Sequence, residues 1–161
     1  MSNHRISFIV TLAATALLQA CNQSPDPAKV QGDVIKAQAD GQKMIVDAQA
    51  KLDQVNAQAN KEVVNAQVDA NTATAKDPAA APTADNDVNK ARKDANLDVA
   101  DAQFNLEKVK AEAAYNVGKA QCEAQTGDSG KTCKDNAKSR YDTAVNEAKA
   151  KNDAVHARVK G

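Results

Sequence analysis

The chain has 161 residues with 21 basic and 21 acidic side chains, so its formal net charge is zero and its length suits one domain or two small ones. Only 2% of the residues are aromatic, and 34 are alanine, which buries little surface per residue. This composition argues against a β-sandwich, a dinucleotide-binding domain and an enzyme with a large apolar pocket, and the zero net charge argues against a nucleic-acid-binding protein.

The N-terminus combines one basic residue with a short apolar run. Arg5 is the only charged residue among the first 25, and residues 6–18 are apolar apart from one serine and two threonines. A run of about 13 residues is too short to cross a bilayer, which needs about 20, but it has the length of a signal-peptide core. Residues 1–20 are therefore predicted to be a signal peptide that is removed.

The apolar run ends in Leu18-Gln19-Ala20-Cys21, which resembles the lipobox of bacterial lipoproteins. The resemblance implies that the thiol of Cys21 accepts a diacylglyceryl group and that acyl chains there hold the mature protein on a membrane. The residue after the cysteine is Asn22, not the aspartate that retains enterobacterial lipoproteins at the inner membrane. The resemblance therefore implies the periplasmic face of the outer membrane. An ordinary secretory signal with a chance cysteine is the alternative.

Residues 21–27 are predicted to be a lipidated tether, and residues 28–75 a long first helix. Asp26 can cap that helix, with Pro27 at its first position, where no N–H donor is needed. Apolar and small residues recur in it at steps that are mostly three or four, as on one helix face. They are Val34, Gly41, Ile45, Ala48, Leu52, Val55, Ala59, Val63 and Ala66.

A short motif recurs every nine residues within this helix, beginning at Val46, Val55 and Val64. Nine residues make two and a half helical turns, so successive copies face opposite sides. The motif therefore predicts either a helix that packs on both faces or low-complexity drift in a sequence rich in Ala, Gln and Asn.

Residues 76–87 contain two prolines and an Asp/Asn cluster and are predicted to be a linker. The region 88–161 is predicted to be a helical hairpin, with a second helix over 88–124 and a third over 131–160. The second helix has a regular stripe: Val88, Ala91, Ala95, Val99, Ala102, Leu106, Val109, Ala113, Val117, Ala120 and Ala124. The stripe of the third includes Cys133, Ala137, Tyr141, Ala144, Ala148, Val155 and Val159.

Cys122 and Cys133 flank a glycine-rich segment, 126–130, that is predicted to be the turn of the hairpin. In an exported protein the two remaining cysteines are expected to form a disulfide, which suits an antiparallel hairpin; a redox-active pair and metal ligands are the alternatives. Counting outward from the turn brings Tyr115 near Tyr141, where they can stack and contact a partner.

The segment 120–150 is similar to small Ala/Lys-rich proteobacterial envelope proteins that are often labelled TolA-like from composition. The resemblance is carried by Ala120-Gln-Cys-Glu-Ala124, a glycine turn, Cys133, Lys138-Ser-Arg-Tyr141 and Glu147-Ala-Lys-Ala150. That resemblance implies a location in the cell envelope and no particular chemistry. The chain is also similar in architecture to the major murein lipoprotein of enterobacteria, a lipidated long helix joined to peptidoglycan through a C-terminal lysine. The sequence departs from that pattern because Gly161 follows Lys160, so peptidoglycan is only a secondary candidate partner.

No catalytic constellation is found in the sequence. His156 is the only histidine after the signal peptide, and it is predicted to be a solvated helix residue without metal-binding partners. The Gly-Asp-Ser-Gly segment at 127–130 is interpreted as a turn. The chain is predicted not to be an enzyme and to carry no cofactor or metal, apart from covalent lipid at Cys21.

These observations predict an elongated all-α protein in which a long N-terminal helix precedes a disulfide-linked hairpin. Its predicted function is that of a lipid-anchored envelope protein, a helical spacer or docking element in the periplasm. The alternative is a periplasmic binding or regulatory module whose hairpin binds a protein partner around Tyr115 and Tyr141. The expected partners are a membrane, through the lipid, and a protein or a second copy of the chain, but not nucleic acid.

Overall fold

The computed structural model describes residues 25–160 and contains three long α-helices in that range. They are α1 (Pro27–Lys76), α2 (Ala81–Cys122) and α3 (Gly127–Lys160), and a short 3₁₀ turn (Pro78–Ala80) joins the first two. The all-α prediction is confirmed. The predicted signal peptide, Cys21 and most of the tether lie outside the described residues.

Helix α1 begins and ends at side-chain and backbone caps. The side chain of Asp26 accepts a hydrogen bond from the N–H of Ala28 at 2.9 Å, and Pro27 occupies the first turn, as predicted. At the other end, the N–H of Asp77 donates to the carbonyl of Ala73 at 2.9 Å. The helix therefore extends one residue beyond each end of the predicted range.

The predicted linker at 76–87 is wrong for most of its length. The chain leaves α-helical geometry only around Pro78–Ala80, and α2 begins at Ala81. Pro82 lies in the first turn of α2, where its missing N–H would have no partner inside the helix, so this proline starts the helix instead of breaking it. The Asp/Asn cluster at 85–87 consequently lies inside α2.

The turn between α2 and α3 lies earlier than predicted. Residues 123–126 form it, and the Gly-Asp-Ser-Gly segment belongs to the first turn of α3. Gly127 has φ of +60°, a conformation that suits glycine. Gly130 is buried, and a Cβ there would lie 2.6 Å from the carbonyl oxygen of Gln125, so both glycines are required by the path of the chain.

Helices α1 and α2 pack along their whole shared length. Leu52 of α1 clusters with Ala102 and Leu106 of α2, and nearer the 3₁₀ turn Ala70 clusters with Ala84 and Val88. All members of the predicted α1 stripe are buried or half-buried, and so are all members of the α2 stripe except Ala124. The predicted α1 and α2 faces therefore form the first interface.

Helix α3 packs on a different side of α2, which the apolar stripes did not predict. Ala113 of α2 faces α1. Tyr115 is two residues further along, and because two residues turn a helix by about 200°, it faces the other way and contacts α3. A second stripe of buried or half-buried residues therefore runs along α2. Its members recur at steps of three or four, except for a step of seven after Phe104: Leu97, Ala100, Phe104, Ala111, Tyr115, Gly118 and Cys122. In α3, predicted Ala144 is exposed, whereas Val145 is half-buried.

The helices consequently form one layer with α2 in the middle. Over the described chain, no Cα atom of α1 comes within 8 Å of a Cα atom of α3. Nine of the 13 buried hydrophobic residues in that range are alanine, which allows close helix contact but forms a thin core. None of the described helices is long and apolar enough to cross a membrane.

Candidate interaction groove

The two predicted contact residues lie side by side across the α2–α3 interface. The ring centroids of Tyr115 and Tyr141 are 5.5 Å apart with a tilt of 42° between the planes. Lys119 lies over the first ring at 5.6 Å, and Lys138 over the second at 5.3 Å, within the range of cation–π attraction. The predicted tyrosine contact is confirmed, and their contact with a partner stays a prediction.

Cys122 and Cys133 form the predicted disulfide, with Cα atoms 5.6 Å apart. Cys122 is only 1% exposed, so this end of the α2–α3 interface is closed. Beside it, Lys134 and Glu123 pair at 2.9 Å, and the hydrogen bond from that lysine lowers the pKa of the Glu123 carboxyl. In the described part of the chain, no group of three or more His, Cys, Asp or Glu residues could hold a metal ion.

A groove runs along α2 because α1 and α3 pack on separate sides of it. Next to the tyrosine pair, the groove has a volume of about 700 Å³ and is lined by all three helices. Its floor consists of small or apolar α2 residues, namely Ala111, Ala113, Ala114, Val117 and Gly118. Gly41 of α1 closes one side, because its Cα approaches Ala113 so closely that an added Cβ would lie 2.9 Å from the alanine Cβ.

The polar lining of this groove is basic and neutral. Lys110 and Arg140 are the charged residues that line it, and no acidic residue does. Three glutamines and the two tyrosines supply the neutral polar groups. Lys110 is paired with Glu107 at 2.7 Å, outside this part of the groove. An apolar floor with a basic rim is suited to a partner that combines apolar and acidic groups.

Further along α2 the groove continues as a second hollow of about 380 Å³. Leu52, Leu106 and Val155 contribute apolar surface to it, and Glu107 and Lys151 contribute charge. The two hollows together follow α2 from Ala100 to Gln121, about 30 Å at 1.5 Å per residue. In length the groove matches an extended or helical segment, and it is a property of the packed layer and not of any one helix.

His156 is half-buried and has a polar partner, so the prediction of a solvated helix residue is wrong. Its Nε2 lies 2.8 Å from Oδ1 of Asp101 on α2, and the side-chain amide of Asn152 donates to the same oxygen at 2.8 Å. The hydrogen bond from Asn152, then that from His156, lowers the pKa of Asp101. Oδ1 of Asn152 is buried with no hydrogen-bond partner in the structure.

The sequence held a signal for this cluster. Because α2 and α3 are antiparallel, the residue numbers of two facing positions add up to a constant. At the disulfide this sum is 255. The same sum holds for Gly118 and Ala137, which are in contact, and it places Asp101 level with residue 154, between Asn152 and His156. Continuing the predicted register along the helix would therefore have found the cluster.

Comparison of the chain with protein-family models, with curated proteins and with solved structures found no match.

Proposed function

We propose that this chain is a non-enzymatic, lipid-anchored protein of the bacterial cell envelope that acts as a helical docking element in the periplasm. In this proposal, Cys21 carries the lipid and residues 21–27 tether the helical layer to the periplasmic face of the outer membrane. The proposal rests on the lipobox-like sequence for the anchor and on the groove for the docking role.

The path of the chain supports such an arrangement. Helix α1 has 50 residues, about 75 Å at 1.5 Å per residue. It begins six residues after Cys21, a tether of at most about 20 Å. Helices α1 and α2 are antiparallel, since Gly41 contacts Ala113 and Ala70 contacts Ala84, so the α2–α3 turn lies at the anchored end. The 3₁₀ turn at Pro78–Ala80 then lies about 75 Å from the tether.

The groove is the observation that favours docking over a passive spacer. A spacer needs length alone, and a plain two-helix rod would supply it. Here α3 covers only part of the rod: the register places its end, at Lys160, level with Ala95 of α2. The groove with Tyr115 and Tyr141 lies within that three-helix section, near the anchored end.

A periplasmic binding or regulatory module is the second candidate function, and the same tyrosine-lined groove favours it. The two candidates differ in whether the lipid anchor is needed. In a regulator the groove alone carries activity, whereas a docking element at the membrane also depends on Cys21; only a spacer depends on the length of the rod.

The anchor is tested by the intact mass of the protein isolated from membranes without reduction. We expect a chain that starts at Cys21, carries diacylglyceryl and acyl chains, and lacks two hydrogens because of the disulfide. An unlipidated chain would refute the anchored function and leave the regulator. A muropeptide remnant at Lys160 would instead identify peptidoglycan as a partner.

Length and groove can be separated by matched variants. Residues 65–71 of α1 face residues 83–89 of α2, judging from the contacts of Ala70 with Ala84 and Val88. Deleting both segments shortens the rod by about 10 Å and nearly preserves the helical phase. We expect this variant to complement a strain that lacks the protein, and a Tyr115→Ala, Tyr141→Ala variant not to. The reverse result would identify a spacer.

A further inference from the structure

The side of α1 that faces away from α2 carries a row of exposed aliphatic side chains, here called the outer face. Ile35, Val46, Val64 and Val68 are 58%, 55%, 60% and 56% exposed, and they are the exposed large hydrophobic residues of the described chain. At 100° per residue they lie within an arc of about 60°. Buried Leu52 lies about 125° from the mean direction of these four residues, so α1 has two separate apolar faces.

The nine-residue motif produces the second face. Val55 packs into the cluster around Leu52, whereas Val46 and Val64, nine residues to either side, point outward. Ile35, Val46 and Val68 are also separated by multiples of 11 residues, a spacing that keeps side chains aligned along a nearly straight helix. The outer face is therefore a straight seam about 50 Å long.

The two borders of this seam differ in charge. Four exposed lysines, together with the exposed Asp47, follow one border, and exposed amides follow the other. The lysines are Lys29, Lys36, Lys43 and Lys61, and the amides are Gln31, Gln42, Gln49 and Asn60. Any helix that packs on the seam must accommodate lysine on one side and amide on the other.

We propose that the outer face of α1 binds the same face of a second copy of this chain, with the two helices parallel and in register. Two-fold symmetry makes one face serve both partners. In a parallel pair, the lysine border of each copy meets the amide border of the other, where the ammonium group can donate to amide carbonyls. In an antiparallel pair, lysine would face lysine, and like charges would oppose association.

The orientation has a second argument, which rests on the proposed function. Two copies held by lipid at Cys21 in one membrane begin α1 at the same end, so they meet in parallel. The resulting assembly is a layer of six helices with the two α1 helices at its centre. Gly41 and Ile45 border the groove beside Tyr115 from a different side of α1, and Gln42 is the one residue of the amide border that also lines the groove.

Asp53 is the one charged residue inside the arc, and its Oδ1 accepts a hydrogen bond from Gln49 at 2.9 Å. In a parallel, in-register pair, residues with the same number face each other, so the two Asp53 carboxylates repel. In an antiparallel pair aligned from Ile35 to Val68, Asp53 would face Ala50 instead. Asp53→Asn therefore strengthens only a pair in which the two Asp53 residues meet.

Cysteine cross-linking on the full chain in its native membranes tests the proposal. Val46→Cys and Val64→Cys are introduced singly, the membranes are treated with a mild oxidant, and dimers are counted on non-reducing gels. Ala150→Cys, at an exposed position of α3, is the matched control, and the unsubstituted chain reports any cross-link through Cys21. We expect each valine position to give at least ten times the dimer of the control.

Two further variants on the Val46→Cys chain sharpen the result. Val64→Glu places charge on the seam and is expected to reduce the dimer at least tenfold, with unchanged helical content because Val64 is exposed. Asp53→Asn is expected to increase it. Dimer yields no higher than that of the Ala150→Cys control would overturn the proposal. An antiparallel pair would also overturn it. In that case a mixture of Val46→Cys and Ala57→Cys chains cross-links, although neither variant cross-links by itself.

The intact mass of the same samples reports the lipid independently. A chain that cross-links without acyl groups retains self-association and refutes the anchored function. An acylated chain that stays monomeric retains the anchored function and refutes self-association, and this includes the case in which another protein covers the outer face.

Discussion

Replacing Gly41 by alanine measures how closely α1 and α2 approach. A Cβ at Gly41 would lie 2.9 Å from the Cβ and 3.4 Å from the Cα of Ala113. Neither atom belongs to a flexible side chain, so the added methyl group can be accommodated only if the two helices move apart. The thin alanine interface on either side would then lose contact.

Two opposing terms set the size of the effect. Alanine is better than glycine in a helix interior by about 1 kcal/mol. Overpacking a tight interface costs about 1–3 kcal/mol. Gly41→Ala is therefore expected to lower the free energy of unfolding by up to about 2 kcal/mol, or at best to leave it unchanged.

Gly32 provides the matched control, because it lies in the same helix with no atom within 4 Å of an added Cβ. Gly32→Ala should stabilise the protein by about 1 kcal/mol, so the two variants should differ by about 1–3 kcal/mol. Urea unfolding followed by circular dichroism at 222 nm resolves that difference. In thermal unfolding it corresponds to a separation of about 3–9 °C in Tm.

The same assay can refute the close approach. If Gly41→Ala stabilises the chain as much as Gly32→Ala, then α1 and α2 are not in contact at this point. Ala113→Gly should relieve the crowding in the Gly41→Ala chain, so the double variant should be more stable than the sum of the two single effects.

The remaining predictions concern the α2–α3 interface. Cys133→Ser opens a loop of about a dozen residues and should lower the free energy of unfolding by about 2–3 kcal/mol, measured against the oxidised chain in urea. Gly130→Ala drives a methyl group against the carbonyl of Gln125 and should cost about 1–3 kcal/mol; no loss of Tm would contradict the observed turn. The lowered pKa of Asp101 means that its ionised form favours folding above about pH 4, and that this contribution disappears as the pH falls through the lowered pKa. Asp101→Asn should therefore flatten the acid side of the stability–pH curve, and an unchanged curve would show that the contacts of Asp101 contribute nothing.

The helices and one of their two interfaces could be predicted from periodicity. The stripe through Leu52 and the stripe through Leu106 have the spacing of a single apolar face, and these faces pack together. The hairpin register also followed from local information, because a short turn between Cys122 and Cys133 leaves little freedom in how antiparallel helices align. That register brought Tyr115 to Tyr141.

Helix boundaries were less predictable where proline and glycine have two roles. Pro82 can end a helix or begin one, and the choice depends on whether its neighbours are packed. Here Ala84 and Val88 are buried against α1, which favours a helix through the predicted linker. Packing that lies far away in sequence decided the local structure.

By itself, the sequence determined the all-α class, the thin alanine interfaces and the antiparallel register, because each depends on residues that are near each other along the chain. It also carries the lipobox-like segment, on which the proposed anchor rests. Only the tertiary structure decided that α1 and α3 lie on separate sides of α2. That arrangement opens the groove and leaves the outer face of α1 exposed. These features depend on which of the three helices are in contact. A stripe of apolar residues predicts that a face is buried, but it does not predict which helix covers that face.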